Sequence, residues 1–335
     1  MRRYTILLLT ALMLVMAALA GAALPVGADE KNSAVPMQEL RAYTTLPAET
    51  VTILSETYER ENHVRVNFVP LPAKDLIQKI QTEPADLILT DSEVLNAAAE
   101  MNLLTPHISE INDAVKTNFK DEHDRWIGIW YDPIIFCVNK AFLRTLNEIP
   151  DTWNELASAR KVRIGITDFL AADASSNLMF QMIGNLGEYE TYEILSGIHP
   201  KVVQYTKFLS NPVRQAGMGE ADISIAVESE TLRYMQNNYP LKIIYPSDGT
   251  AYILTGIGIT KNNSAAAKFA DWLLSDDAQL ALQRNGFYFI STNPQTLAYK
   301  TFAGKNLVLF DDSQKFTDEQ RHEFLDRWVK NVRLK

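Results

Sequence analysis

Two short stretches carry most of the chemistry legible in this chain. Ala85-Asp86-Leu87-Ile88-Leu89-Thr90-Asp91-Ser92-Glu93 and Ala221-Asp222-Ile223-Ser224-Ile225-Ala226-Val227-Glu228-Ser229-Glu230 share one plan, an apolar run of strand length that ends in carboxylates and hydroxyls. In open α/β sheets, ligands sit beyond the carboxyl ends of the strands. Asp91, Ser92 and Glu228 are therefore candidate ligand-binding residues. Two such strand ends far apart in sequence suggest two lobes facing one cleft. Neither end sets a nucleophile beside a base, so the pattern speaks for capture rather than catalysis.

A second set of candidates lies where helices should begin. Thr44 and Thr45 are expected to close a strand just ahead of a helix opening after Pro47, and Ser175, Ser176 and Asn177 hold the matching place later in the chain. Helix N-termini present N–H groups without intrahelical partners and the positive end of the helix dipole, which suits a phosphate, phosphonate or carboxylate. The same residue types also serve as plain N-caps. The carboxylates of Asp91 and Glu228 repel an anion but pair with an ammonium group, so the two sets together describe a site for an anion or a zwitterion. Trp130, Tyr131 and Tyr252 are candidates for the cleft wall, with core packing as the alternative.

Other chemistry finds little support. The five histidines, His63, His107, His123, His199 and His322, show no metal-ligand spacing, and the sole cysteine, Cys137, lies inside an apolar run. No Gly-x-Ser-x-Gly elbow occurs. Gly256-Ile257-Gly258 sits within an expected strand rather than after one, so it is no phosphate-gripping loop. No catalytic residue, metal site or cofactor is expected.

The elements that must position the candidates alternate between strand and helix. Leu40 to Tyr43, Val64 to Val69 and Asp86 to Leu89 read as strands, and Ala48 to Glu61, Lys74 to Gln81 and Val94 to Met101 read as helices. That alternation is the signature of a mostly parallel sheet. Two apolar strands, Ile134 to Val138 and Ile253 to Thr260, bracket a middle portion with its own strand-helix pattern. If the helices after the second strand, near 265–274 and 276–284, pack on the first lobe, the chain leaves that lobe once and returns once. Such a double crossing makes a natural hinge.

Composition narrows the class further. The formal charge of −9 comes without basic runs, which argues against nucleic acid and against an anionic membrane surface. Arg2 and Arg3 precede an apolar run from Ile6 to Ala23 and small residues at Val26-Gly27-Ala28, the pattern of a secretory signal peptide spanning residues 1–28. A single cysteine rules out an internal disulfide, so burial must stabilise a mature chain of about 300 residues.

The order of segments resembles the extracellular solute-binding proteins of ABC importers, in the group that takes iron(III), polyamines and 2-aminoethylphosphonate. The resemblance rests on Tyr43-Thr44-Thr45, Ala85-Asp86, Asn139, Pro150-Asp151-Thr152-Trp153-Asn154-Glu155-Leu156, Gly219-Glu220-Ala221-Asp222 and Pro246-Ser247-Asp248-Gly249-Thr250. It continues through Lys268-Phe269-Ala270-Asp271-Trp272-Leu273-Leu274-Ser275 and Gly286 to Ser291-Thr292-Asn293-Pro294. It implies an α/β, bilobed periplasmic-binding-protein fold of type II, two α/β lobes joined by two crossover strands. One lobe is expected to hold residues 29–134 and 259–335, the other residues 135–258, and Thr250 joins the ligand-binding candidates beside the return crossing.

The function it implies is capture of a small-molecule solute in the periplasm by a monomer, with an ABC permease of the inner membrane as partner. The alternatives are a ferric-iron-binding protein of an ABC importer and a ligand-sensing subunit for a membrane histidine kinase. Iron-binding members of the group carry adjacent tyrosines after the strand equivalent to Asp222 to Val227, where this chain has Glu228-Ser229-Glu230-Thr231. Tyr234, Tyr239 and Tyr252 are the nearby substitutes.

Overall fold

Ten strands and their covering helices are built around one very long strand. The computed structural model describes residues 37–145, 148–302 and 306–334; the signal segment expected at residues 1–28 lies outside them. No helix among the described residues is long and apolar enough to cross a membrane. The strands are β1 (Gln38–Thr44), β2 (Val64–Pro70), β3 (Leu87–Asp91), β4 (Trp126–Asn139), β5 (Ile164–Thr167), β6 (Val202–Thr206), β7 (Ile223–Val227), β8 (Leu241–Ile244), β9 (Tyr252–Ile259) and β10 (Ile290–Ser291). Leaving aside segments of five residues or fewer and the short helix Leu297–Phe302, the helices are α1 (Ala48–Asn62), α2 (Ala73–Thr82), α3 (Ser92–Glu100), α4 (Trp153–Ser158), α5 (Asp173–Leu186) and α6 (Glu188–Ile198). They continue with α7 (Ser210–Gly217), α8 (Glu228–Gln236), α9 (Ser264–Leu273), α10 (Asp276–Arg284) and α11 (Asp318–Trp328).

The strand order is β2-β1-β3-β9-β4-β7-β5-β6, with β8 and β10 also pairing with β4. All fourteen residues of β4 are buried, as befits a strand with neighbours along its whole length. Its first half pairs with β9 from Trp126 to Pro133, and its second half pairs with β7 from Ile134 to Val138. One strand thus joins two sheets, each with its own core. The first core gathers Leu40, Leu54, Leu87 and Phe269, and the second gathers Phe136, Trp153, Ile164 and Met179. This is the bilobed α/β architecture that the segment order implies.

The lobe boundaries differ from the expected ones in two places. The whole of β9 pairs with β3 and β4 in the first sheet, so the return crossing falls near Ala251 rather than at 258. The carboxyl-terminal segment also crosses again: Phe310, Phe324, Trp328 and Val332 belong to the second core. At this third crossing, Thr250 N–H donates to Val308 O and Phe310 N–H donates to Thr250 O, at 2.9 and 2.8 Å. Helix α11 carries a capping box at Thr317 and Gln320, and its apolar stripe finds the core of the second lobe. Amphipathic patterning says that a helix has a partner and is silent on which one.

Several of the recurring segments turn out to fasten the hinge. The Trp153 indole N–H donates to Gly249 O at 2.8 Å, the Trp153 backbone N–H to Asp248 Oδ2 at 3.0 Å, and Ser247 N–H to Asp151 O at 2.6 Å. The Trp153 ring packs edge-on against Phe136. Gly249 has φ of 102°, and a Cβ there would stand 2.8 Å from the Phe310 ring, so both conformation and space call for glycine. From α5, Gln181 donates to Tyr252 O and accepts from Tyr252 N–H, at 2.9 and 3.0 Å, clamping the return strand.

Candidate functional site

A cleft of about 520 Å³ opens where four helix starts from the two lobes converge. Leu46, Pro47 and Thr50 come from the start of α1, Ala171 and Ala172 from the start of α5, Leu209 and Ser210 from the start of α7, and Val227, Ser229 and Glu230 from the start of α8. None of these four helices is closed by a hydrogen bond from its own N-cap side chain. By contrast, α3, α4, α9, α10 and α11 are each capped by their own Asp, Thr, Asn or Ser, while α2 and α6, away from the cleft, also lack a side-chain cap. Helix starts that no local side chain serves are suited to an incoming acceptor.

The floor of the cleft is the pair of crossing strands. Trp130 and Asp132 of β4 line it together with Thr255 and Ile253, their respective partners on β9. Directly paired residues share one face of a sheet, and successive residues alternate faces. A β-bulge between Gly128 and Trp130 resets that alternation, so Trp130 and Asp132 face the cleft while Tyr131 turns away. Phe289 stacks on Trp130, with centroids 5.3 Å apart and an interplanar angle of 11°, and Phe287 extends this apolar wall. Lys207, an exposed lysine, is also among the residues that line the cleft.

Asp132 is a buried acid on the cleft floor. It is 6% exposed, and its oxygens accept from Ser229 N–H at 2.9 Å and from the Ser229 hydroxyl. Burial pushes its carboxyl up to about 7, offset in part by the two Ser229 bonds and reinforced by Glu228 and Glu230. Glu230 pairs with Arg233 one turn along the helix. Sequence reading missed Asp132, Ser229 and Lys207. The signals were present: a glycine inside a strand, here Gly128, commonly marks a bulge, and Lys207 directly follows a strand at its carboxyl end.

Of the twelve candidates, Trp130 alone is among the residues that line the cleft, and Thr45, Tyr131, Glu228 and Tyr252 are immediate sequence neighbours of lining residues. Thr44 is fully buried, donating to Leu89 O at 2.6 Å and accepting from Leu46 N–H at 3.0 Å. The Thr45 hydroxyl meets that of Thr90 at 2.8 Å. Asp91 caps α3 by accepting from Val94 N–H at 3.1 Å, and Ser92 lines a separate cavity behind the crossing strands. Tyr131 and Tyr252 touch each other, but on the rear face, where Tyr131 stacks on Phe119.

In the second lobe, α5 begins at Asp173, earlier than expected. Ser175 and Ser176 are therefore inside its first turn, where both N–H groups bond to Ala172 O and the Ser175 hydroxyl bonds to Asp168 O. Asn177, the next residue, is half-buried within the same helix. Glu228 is 1% exposed and accepts from the Tyr245 hydroxyl. Thr250 is buried and donates to Ile134 O at 2.7 Å, fastening the two crossings together. Thr44, Ser175, Thr250 and Tyr252 are thus corrected from cleft lining to internal fastening, because strand and helix phase turn their side chains inward. Tyr234 and Tyr239 pack on each other at 4.9 Å and do not line the cleft.

Fold and cleft together define a two-lobed binding protein, and comparison with known proteins agrees. Residues 42–288 match the model of the bacterial extracellular solute-binding proteins, and the chain belongs to that family. An uncharacterized protein of Haemophilus influenzae is 31% identical over 251 residues, 71% of this chain and 72% of that one. Among solved structures, the periplasmic binding protein AfuA of Actinobacillus pleuropneumoniae, with fructose-6-phosphate bound, matches with TM-score 0.70 and 22% identity over 89% of this chain and 99% of that one. A ferric binding protein of Campylobacter jejuni matches with TM-score 0.68 and 22% identity, over 87% and 98%. The chain is a binding protein, not an enzyme, of the kind that serves ABC importers.

Proposed function

We propose that this protein captures a small anionic or zwitterionic solute, a phosphate ester or phosphonate, in the periplasm and delivers it to an ABC permease of the inner membrane. The observation that carries this reading is the convergence of four helix starts without side-chain caps of their own on one cleft, with Lys207 beside them. The α8 start is served by Asp132 from the crossing strand, and at α7 the Asn211 N–H bonds to Phe208 O while Pro212 has no N–H, which leaves chiefly the α1 and α5 starts for the solute. A partly buried helix start stabilises an anion by up to about 2 kcal/mol, and hydrogen bonds to a charged group add about 1.5–3. Two starts, the hydrogen bonds made at them and Lys207 together reach the roughly 8 kcal/mol of a micromolar complex.

Among the structural neighbours are a fructose-6-phosphate complex and ferric binding proteins. The cleft favours the anion. Tyr131 and Tyr252 lie behind the crossing strands, and burial raises both hydroxyls, which works against phenolate ligation there. An export signal ending near Ala28 and a monomeric state complete the proposal.

The test is a melting screen across phosphonates, sugar phosphates, amino acids, polyamines and ferric citrate. A ligand of the folded state raises Tm by mass action, so phosphate- or phosphonate-bearing solutes should give the largest shifts. Lys207→Ala should weaken the best of them by about tenfold. A shift with ferric citrate alone would refute the anion reading.

A further inference from the structure

We propose that Asp132 reads the hydrogen-bond-donating end of the solute, so that the cleft is polarised, with the anion held toward Lys207 and a hydroxyl or ammonium group held at Asp132. This rests on the anion reading above and adds an orientation and a second recognition group to it. Asp132 sits on the cleft floor between the lobes, and its bonds to Ser229 use only part of what a carboxylate can accept, about four lone-pair sites. A donor or ammonium group brought beside it favours the ionised carboxylate, which only accepts, so the solute atom that meets it must donate. The acid also already occupies the start of α8, and Glu230 stands beside it on the cleft wall. A phosphate therefore meets two acids at this end of the cleft, where the α8 start is already taken.

Strand order places the other end. In the second sheet, β7 and β5 lie between β4, which carries Asp132, and β6, which leads into Lys207 and α7. Three strand spacings of about 4.8 Å make roughly 14 Å of backbone separation. Lys207 after β6 and the start of α5 after β5 shorten the gap that a solute must span. The matching solute carries its donor several bonds from its phosphorus. A two-carbon aminoalkyl phosphonate is short for that reach, and a longer amino- or hydroxyl-bearing phosphate fits it.

Calorimetric titration of the mature protein with n-alkylphosphonates of two to six carbons, each as the unsubstituted, ω-hydroxy and ω-amino compound, tests both parts. Donor-bearing compounds should bind about tenfold or more tightly than the unsubstituted compound of equal length, with the gain largest in the longer members. In Asp132→Asn the ω-amino gain should collapse, and the ω-hydroxy gain, which an amide oxygen can still support, should largely survive. Three compounds of equal length binding within twofold of one another at every length would overturn the role of Asp132 while leaving anion capture intact. Failure of every phosphonate to bind would bring down the anion reading and this inference with it. The wild-type series alone decides the matter if the variant does not fold.

Discussion

The twinned strands β3 and β7 begin alike and end differently. At their starts, Asp86 accepts from Arg41 N–H at 2.8 Å and Asp222 accepts from Arg163 N–H at 2.8 Å, each acid pinning the strand beside it. At their ends, α3 is capped locally by Asp91, whereas α8 follows Val227, which has no capping side chain, and takes its acceptor from Asp132 on the crossing strand. Each helix start is also tied to the other lobe's core. Glu93 of α3 pairs with Arg321 of α11 at 2.6 Å, and Ser229 of α8 bonds to Asp132. The first tie is a partly exposed ion pair, and the second is a buried carboxylate on the cleft floor. One repeated motif thus yields a fastener at one end of the molecule and a recognition group at the other, according to whether the cap is local or borrowed.

The shared starts should produce the largest effect. Asp222→Ala removes a buried acceptor bonded to the Arg163 backbone and guanidinium, at 2.8, 3.2 and 2.7 Å. It should cost about 2–4 kcal/mol in urea unfolding. Asp86→Ala, at the less buried twin, should cost about half that, and equal losses would show that the two starts do the same work.

The borrowed cap should reveal itself through pH. The folded carboxyl of Asp132 titrates near 7, above its ordinary 3.8. The folded state therefore holds a proton that the unfolded state has released, and stability falls as pH rises between about 4 and 7. From pH 5 to pH 8 the wild type should lose roughly 2–3 kcal/mol on this account. Asp132→Asn should flatten that part of the profile, and an unchanged slope would sink the assignment.

The local cap should matter less. Asp91→Ala should cost about 1 kcal/mol, the usual worth of an N-cap, with unchanged affinity for whichever solute the melting screen finds. Smallest of all, Arg321→Ala should cost under about 1 kcal/mol, because the side chains of the Arg321–Glu93 pair are 21% and 32% exposed. A loss of solute affinity in Asp91→Ala would erase the division between fastener and recognition group.

By itself the sequence determined the α/β class, the alternation of elements, the two lobes and the segments that approach the cleft. Apolar periodicity and capping residues are local properties, and they reappear within a residue or two: α1 was expected from Ala48 to Glu61 and runs Ala48–Asn62. Tertiary structure alone decided which atoms face the solute. A bulge at Gly128 shifts strand phase by one residue and exchanges Tyr131 for Trp130 and Asp132. The early start of α5 turns Ser175 inward, and the third crossing gives α11 to the second core. Each of these depends on pairing between residues far apart in the chain, which no local pattern encodes, and so the repeated acid and hydroxyl motif was legible while its division of labour was not.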